Sequence, residues 1–136
     1  MNSHFDLSDE QFEQAFAECS LAPELFTHEA HIRLAWIHIK KYSEKQAIEN
    51  VCSQIQRFVA FLGVQDKYNE TLTVAAIKAV KHFMDKTEIE GFAQFIEQHS
   101  RLKYNFRELL ALHYGFDIFD SPEAKARYLE PDLIAF

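Results

Sequence analysis

Apolar side chains recur along this chain every three or four residues, the period of α-helices that bury one face. Phe12, Ala15, Phe16 and Cys19 begin the pattern. Ser8 stands ahead of them with Gln11 three residues later, the spacing of a capping box, so a first helix opens at Ser8. Pro23 separates it from a second helix. Thr27 is the N-cap of that helix, Phe26 lies just outside it, and Ile32, Ala35, Trp36 and Ile39 form its apolar face to about Lys41. Ser43 with Gln46 repeats the capping-box spacing and opens a third helix carrying Ala47, Ile48, Val51, Cys52, Ile55, Phe58, Val59 and Leu62, which Gly63 ends. A polar link over 64–68 leads to a fourth helix from Asn69 to Met84, with Leu72, Ala76, Ile77, Val80 and Phe83 inside.

The last third reads less regularly. Thr87 with Glu90 makes a third capping-box pair and predicts a fifth helix through about His99, with Phe92, Phe95 and Ile96 inward. Asn105 with Glu108 opens another helix carrying Phe106, Leu109, Leu110 and His113, stopped by Gly115. Ser121-Pro122 sets a cap and an N1 proline before a short final helix that ends near Tyr128, and Pro131 prevents its extension. Only Phe116 to Phe119 alternates briefly, too little for a strand. The expectation is an all-α fold: residues 1–136 as a single domain, a compact bundle of six or seven helices in up-down order, joined by short links.

Composition narrows the class. A hydrophobic fraction of 48% with 13 Phe against three Gly and three Pro excludes disorder and favours long regular elements. The net charge of -7 repels phosphate backbones, so nucleic acid is not an expected partner. Apolar runs are broken by Lys, His or Gln every few residues, and the start of the chain is polar and acidic, so neither a membrane span nor a signal peptide is expected. Cys19 and Cys52 cannot make a disulfide framework and read as small hydrophobes, which fits a cytoplasmic protein. His38 and His82 read as solvent-facing or interface groups, and Trp36 as packing.

Candidate chemistry lies at two helix starts. His28 and His31 share one face of the second helix, and Ala35 and Ile39 continue that stripe as hydrocarbon. Glu70 and Thr73 open a similar stripe on the fourth helix, followed by Ile77, Val80 and Met84. In an up-down bundle these two helices run parallel, which brings the four polar residues to one end. Tyr68 and the turn carrying His99 and Arg101 are expected at the same end, as ligand-binding groups. Two imidazoles and a carboxylate suit a divalent metal with open positions, held by His28, His31 and Glu70. The same set, with Thr73, suits metal-free acid–base catalysis, because the positive end of a helix favours neutral imidazole. Free N–H groups at two helix starts, with Thr73 and Arg101, would instead suit an anion. A purely structural role as caps and dipole partners explains the same residues.

Phe26-Thr27-His28-Glu29-Ala30-His31-Ile32 resembles a stretch reading Trp/Phe-Thr-His-x-Ala-His-Leu in a group of small uncharacterised bacterial helical proteins. Tyr68-Asn69-Glu70-Thr71-Leu72-Thr73 is similar to that group's Tyr-His-Glu-Thr-x-Thr, with Asn69 in place of its His. Ala126-Arg127-Tyr128-Leu129-Glu130-Pro131-Asp132-Leu133 resembles in part its C-terminal Ala-Arg-x-x-Trp-x-Glu-Pro-Asp-Leu. The resemblance implies no particular activity. Two readings follow: a protein with a His/His/Glu pocket for a small polar ligand, or a non-catalytic interaction module that forms a homodimer through an apolar face of the third and fourth helices.

Overall fold

The computed structural model describes residues 2–136, and every regular element among them is helical. The α-helices are α1 (Asp9–Ala17), α2 (His28–Lys41), α3 (Glu44–Phe61), α4 (Glu70–Met84), α5 (Phe92–Gln98), α6 (Arg101–Tyr104), α7 (Phe106–Ala111) and α8 (Pro122–Ala126). Short 3-10 turns cover His4–Asp6, Pro23–Leu25 and Gln65–Lys67. The count is eight where six or seven helices were expected, because the segment after His99 supplies the one-turn helix α6 ahead of α7. The chain divides into two compact units, one ending at Tyr68 and the other beginning at Asn69.

In the first unit the helix starts form as their side chains dictate. Ser8 Oγ accepts the Gln11 N–H, and Gln11 Oε1 accepts the Ser8 N–H. Thr27 Oγ1 accepts the Ala30 N–H at 3.2 Å. Ser43 Oγ accepts the Gln46 N–H, but the Gln46 amide turns forward to Asn50, so only half of that expected box forms. Gly63 ends α3 at φ +75°, where a side chain would be strained. Cys19 departs from its expected helical position. The Cys19 N–H bonds to Phe16 O and the Ser20 N–H to Ala15 O, closing α1 with a Schellman turn that puts Cys19 at φ +57°.

Helix α2 is buried on every side. Ala30 and the whole run from Ile32 to Ile39 are buried, including Arg33 and His38. Arg33 is satisfied completely by the segment before α1. Its Nη1 donates to His4 O at 2.6 Å, its Nη2 to Leu7 O at 2.8 Å, and Nε and Nη2 reach Asp9 Oδ1 at 3.2 and 2.8 Å. The guanidinium also lies 5.0 Å from the Phe12 ring centre. His4, 2% exposed, sits 3.3 Å from Arg33 Nη1 through Nδ1 and 2.8 Å from Glu29 Oε1 through Nε2. Guanidinium has only donors, so Nδ1 accepts and Nε2 carries the proton to Glu29.

In the second unit the irregular C-terminal stretch is held by polar side chains near the start of α4. Asn69 caps the helix through Oδ1 to the Leu72 N–H, and its Nδ2 donates to Ile118 O at 2.7 Å. Thr71 donates to Arg127 O at 2.7 Å and accepts the Leu129 N–H at 3.0 Å. That clasp holds Arg127 in extended backbone, so α8 stops at Ala126 and not near Tyr128. Gly115 is there for close approach: its N–H bonds Asp132 Oδ1 at 2.7 Å, and an added Cβ would stand 3.1 Å from Asp132 Oδ2. Ala75, Leu110, Tyr114, Ile118 and Ala124 form the core over which this stretch folds. Thr87 opens no helix. Its hydroxyl donates back to Phe83 O at the end of α4, and α5 begins five residues later behind Gly91.

Two substitutions test these anchors. Arg33→Met should destabilise the protein by about 3 kcal/mol, because buried carbonyls lose their donors, and Arg33→Lys should recover little, lacking the fork. Urea midpoints check both. Thr71→Val keeps the shape but removes both sides of the clasp; it should cost about 2 kcal/mol and speed hydrogen exchange at the Leu129 amide.

Candidate functional site

The boundary between the two units falls between Tyr68 and Asn69, in the middle of the residues expected to share a site. In the first unit His28 and His31 occupy the opening turn of α2, behind the Thr27 cap. His28 is exposed. His31 is half-buried, and its Nε2 is covered and has no hydrogen-bond partner. The ring stands edge-on to Phe26, centres 4.5 Å apart, and Phe26 in turn meets Phe58 of α3 at 5.5 Å. Burial, with the neighbouring His28 adding to it, pushes the His31 pKa down to about 4. His31 is therefore a neutral imidazole at pH 7. Tyr68 is half-buried at the end of the last 3-10 turn.

The other expected residues lie in the second unit. Glu70 is half-buried as the first residue of α4. Thr73 is buried and gives its hydroxyl proton to Asn69 O at 2.7 Å, a bond within its own helix. His99 is half-buried between the Phe83 and Phe95 rings, with Nε2 3.0 Å from Thr87 Oγ1. Because Thr87 gives its only proton to Phe83 O, His99 Nε2–H is the donor in that pair. Burial lowers the His99 pKa, which favours this neutral form. Arg101 is exposed where α6 begins. Asn69, standing where the resembling segment has His, is a cap and a bridge to Ile118. Among the described residues no three His, Cys, Asp or Glu side chains form a group that could hold a metal ion, so the metal role expected of His28, His31 and Glu70 has no support in the structure.

His38 differs from its expected solvent-facing position: it is 1% exposed, because α2 is covered on all sides. Asn50 Nδ2 approaches its Nδ1 at 3.4 Å, while Nε2 is buried without a partner. Burial lowers its pKa against the opposing pull of Glu13. Glu13 accepts from Lys41 Nζ at 2.9 Å and from the Tyr42 hydroxyl at 2.7 Å, beside a shallow groove of about 330 Å³ also lined by Glu10, Gln14 and Ala17. Burial alone would raise the Glu13 pKa, but these two bonds outweigh it and hold it low. The wide apolar face expected on the third and fourth helices is mostly covered: on α3 and the residue after it, Phe61 at 69% and Leu62 at 38% remain exposed, and on α4 none does to that degree.

No protein-family model matches the chain, and neither a curated protein nor a solved structure matches it. The chemistry therefore has to be read from these side chains.

The lowered His31 pKa has a consequence with a definite sign. Below pH 6.5 the unfolded chain takes up a proton on this ring, and the folded chain does not until about pH 4. The contribution of neutral His31 is thus whole above pH 6.5 and is lost as the pH falls toward 4, about 3 kcal/mol in all. Urea unfolding across that range should show the decline in wild type and a shallower one in His31→Phe. Equal slopes would contradict the burial of Nε2.

Proposed function

We propose that this chain is a cytoplasmic helical protein that binds a small polar molecule through the neutral imidazole of His31, with His28 beside it on the same turn. The observation that carries this reading is the covered Nε2 of His31, which lacks a partner in a unit where Arg33 has every donor satisfied. A buried polar nitrogen without a partner costs about 1–3 kcal/mol, a cost that a bound hydrogen-bonding group would relieve. A neutral imidazole at this site can accept or donate a hydrogen bond at pH 7, and with its pKa near 4 it serves the bound molecule as a hydrogen-bonding group rather than as a strong base. The cytoplasmic location rests on two free cysteines and on the lack, among the described residues, of any helix long and apolar enough to cross a membrane.

A thermal-shift panel of amides, alcohols, carboxylates and amines tests the reading. At least one class should stabilise the wild-type chain, by about 2.7 kcal/mol when present at a hundred times its dissociation constant. His31→Phe, which keeps the ring against Phe26, should lose that response, and His28→Ala should weaken it. A panel in which wild type and His31→Phe respond alike to every compound would refute it.

A further inference from the structure

Among the described residues of the first unit, three buried polar side-chain atoms lack partners: His31 Nε2, His38 Nε2 and Gln54 Oε1. All belong to the α2–α3 hairpin, whose register is marked by contacts at two levels. At one level Asn50 of α3 meets His38 of α2. At the other, Phe58 of α3 meets Phe26, which meets His31 of α2. Gln54 is four residues from Asn50 and four from Phe58, so it lies one turn, about 6 Å, from each level on the same side of α3. His31 and His38 are separated by about 10 Å along α2, with the small Ala35 between them on that stripe. The three atoms therefore follow one seam between two helices.

The proton positions along the seam can be assigned. Gln46 Nε2 donates to Asn50 Oδ1 at 2.8 Å, which turns the Asn50 NH2 toward His38. His38 Nδ1 then accepts, and in the neutral ring Nε2 carries the hydrogen. His38 Nε2–H is a donor that needs an acceptor, and Gln54 Oε1 is an acceptor that needs a donor. The charged groups that act on His38 are Glu13 and Lys41, which pair with each other.

We infer that this seam is a binding site for a small neutral molecule that both donates and accepts hydrogen bonds, of the carboxamide or alcohol class, held between Gln54 and His38. This extends the proposed function to a second position on α2, with Gln54 and His38 as the residues that select the ligand. Charged molecules are excluded, because the seam offers them no free counter-charge: Glu13 and Lys41, which act on His38, already pair with each other at 2.9 Å.

The test uses the full chain with 15N-labelled histidine, and acetamide as probe, with acetate and methylammonium as charged controls of similar size. Acetamide should move the ring nitrogens of His38 saturably, and the two charged probes should not. Gln54→Leu should weaken the acetamide effect by about tenfold. Gln54→Met serves where Leu impairs folding, and exposed Gln56→Leu should change nothing. A response at His31 alone, unchanged by Gln54→Leu, would overturn the seam and leave the His31 reading standing. Acetate binding as well as acetamide, or no response at either ring, with solvent water alone meeting these atoms, would also overturn it. Loss of the panel response in His31→Phe separates the failure of the seam from failure of the broader reading.

Discussion

Covering α2 on every side is the constraint from which the rest of the first unit follows. A helix buried all round is ordinarily apolar all round, but this one carries a guanidinium and two imidazoles among its covered residues. Each polar group must find partners in the protein or remain unmet. Arg33 finds all of its own by drawing in the segment from His4 to Asp9, and that segment adopts its 3-10 turn and joins α1 accordingly. The two imidazoles are treated differently. His38 is met on one nitrogen only, and His31 keeps Nε2 covered and alone. The contrast within one helix gives these rings their functional interest.

The second unit solves a different problem with the same economy. Its C-terminal third has little regular structure, so its backbone groups need partners from side chains. Asn69 and Thr71 reach across to residues near 118 and 127–129, Tyr114 donates to Leu129 O, and Asp132 takes the Gly115 N–H. Asn69 and Thr71, on either side of the candidate Glu70, are here a clasp. Thr73 is bonded within its own helix.

Much of the fold was legible. Ser8, Thr27, Ser43, Asn69 and Ser121 mark helix starts because a short side-chain oxygen two or three residues ahead of a free N–H is a local device that needs no tertiary context. Gly63 marks an end for the same reason. Thr87 misled because its hydroxyl serves the helix before it, a choice that the spacing to Glu90 does not reveal. The site was less legible. The first-turn position of His31 could be read, but the burial of His38 could not, since a helix covered on all faces has no solvent side for a periodic pattern to mark. Gln54 gave no signal at all, because an amide on a helix reads as surface until its partner helix is in place.

The most direct measurement is a long-range 1H–15N correlation spectrum of the histidine side chains. At pH 5.5, above its pKa of about 4, His31 should show one protonated and one bare nitrogen. At pH 7.5 His38 should show the proton on Nε2 and Nδ1 bare. Imidazolium shifts for His31 at pH 5.5, or a His38 proton on Nδ1, would contradict the buried, neutral seam on α2.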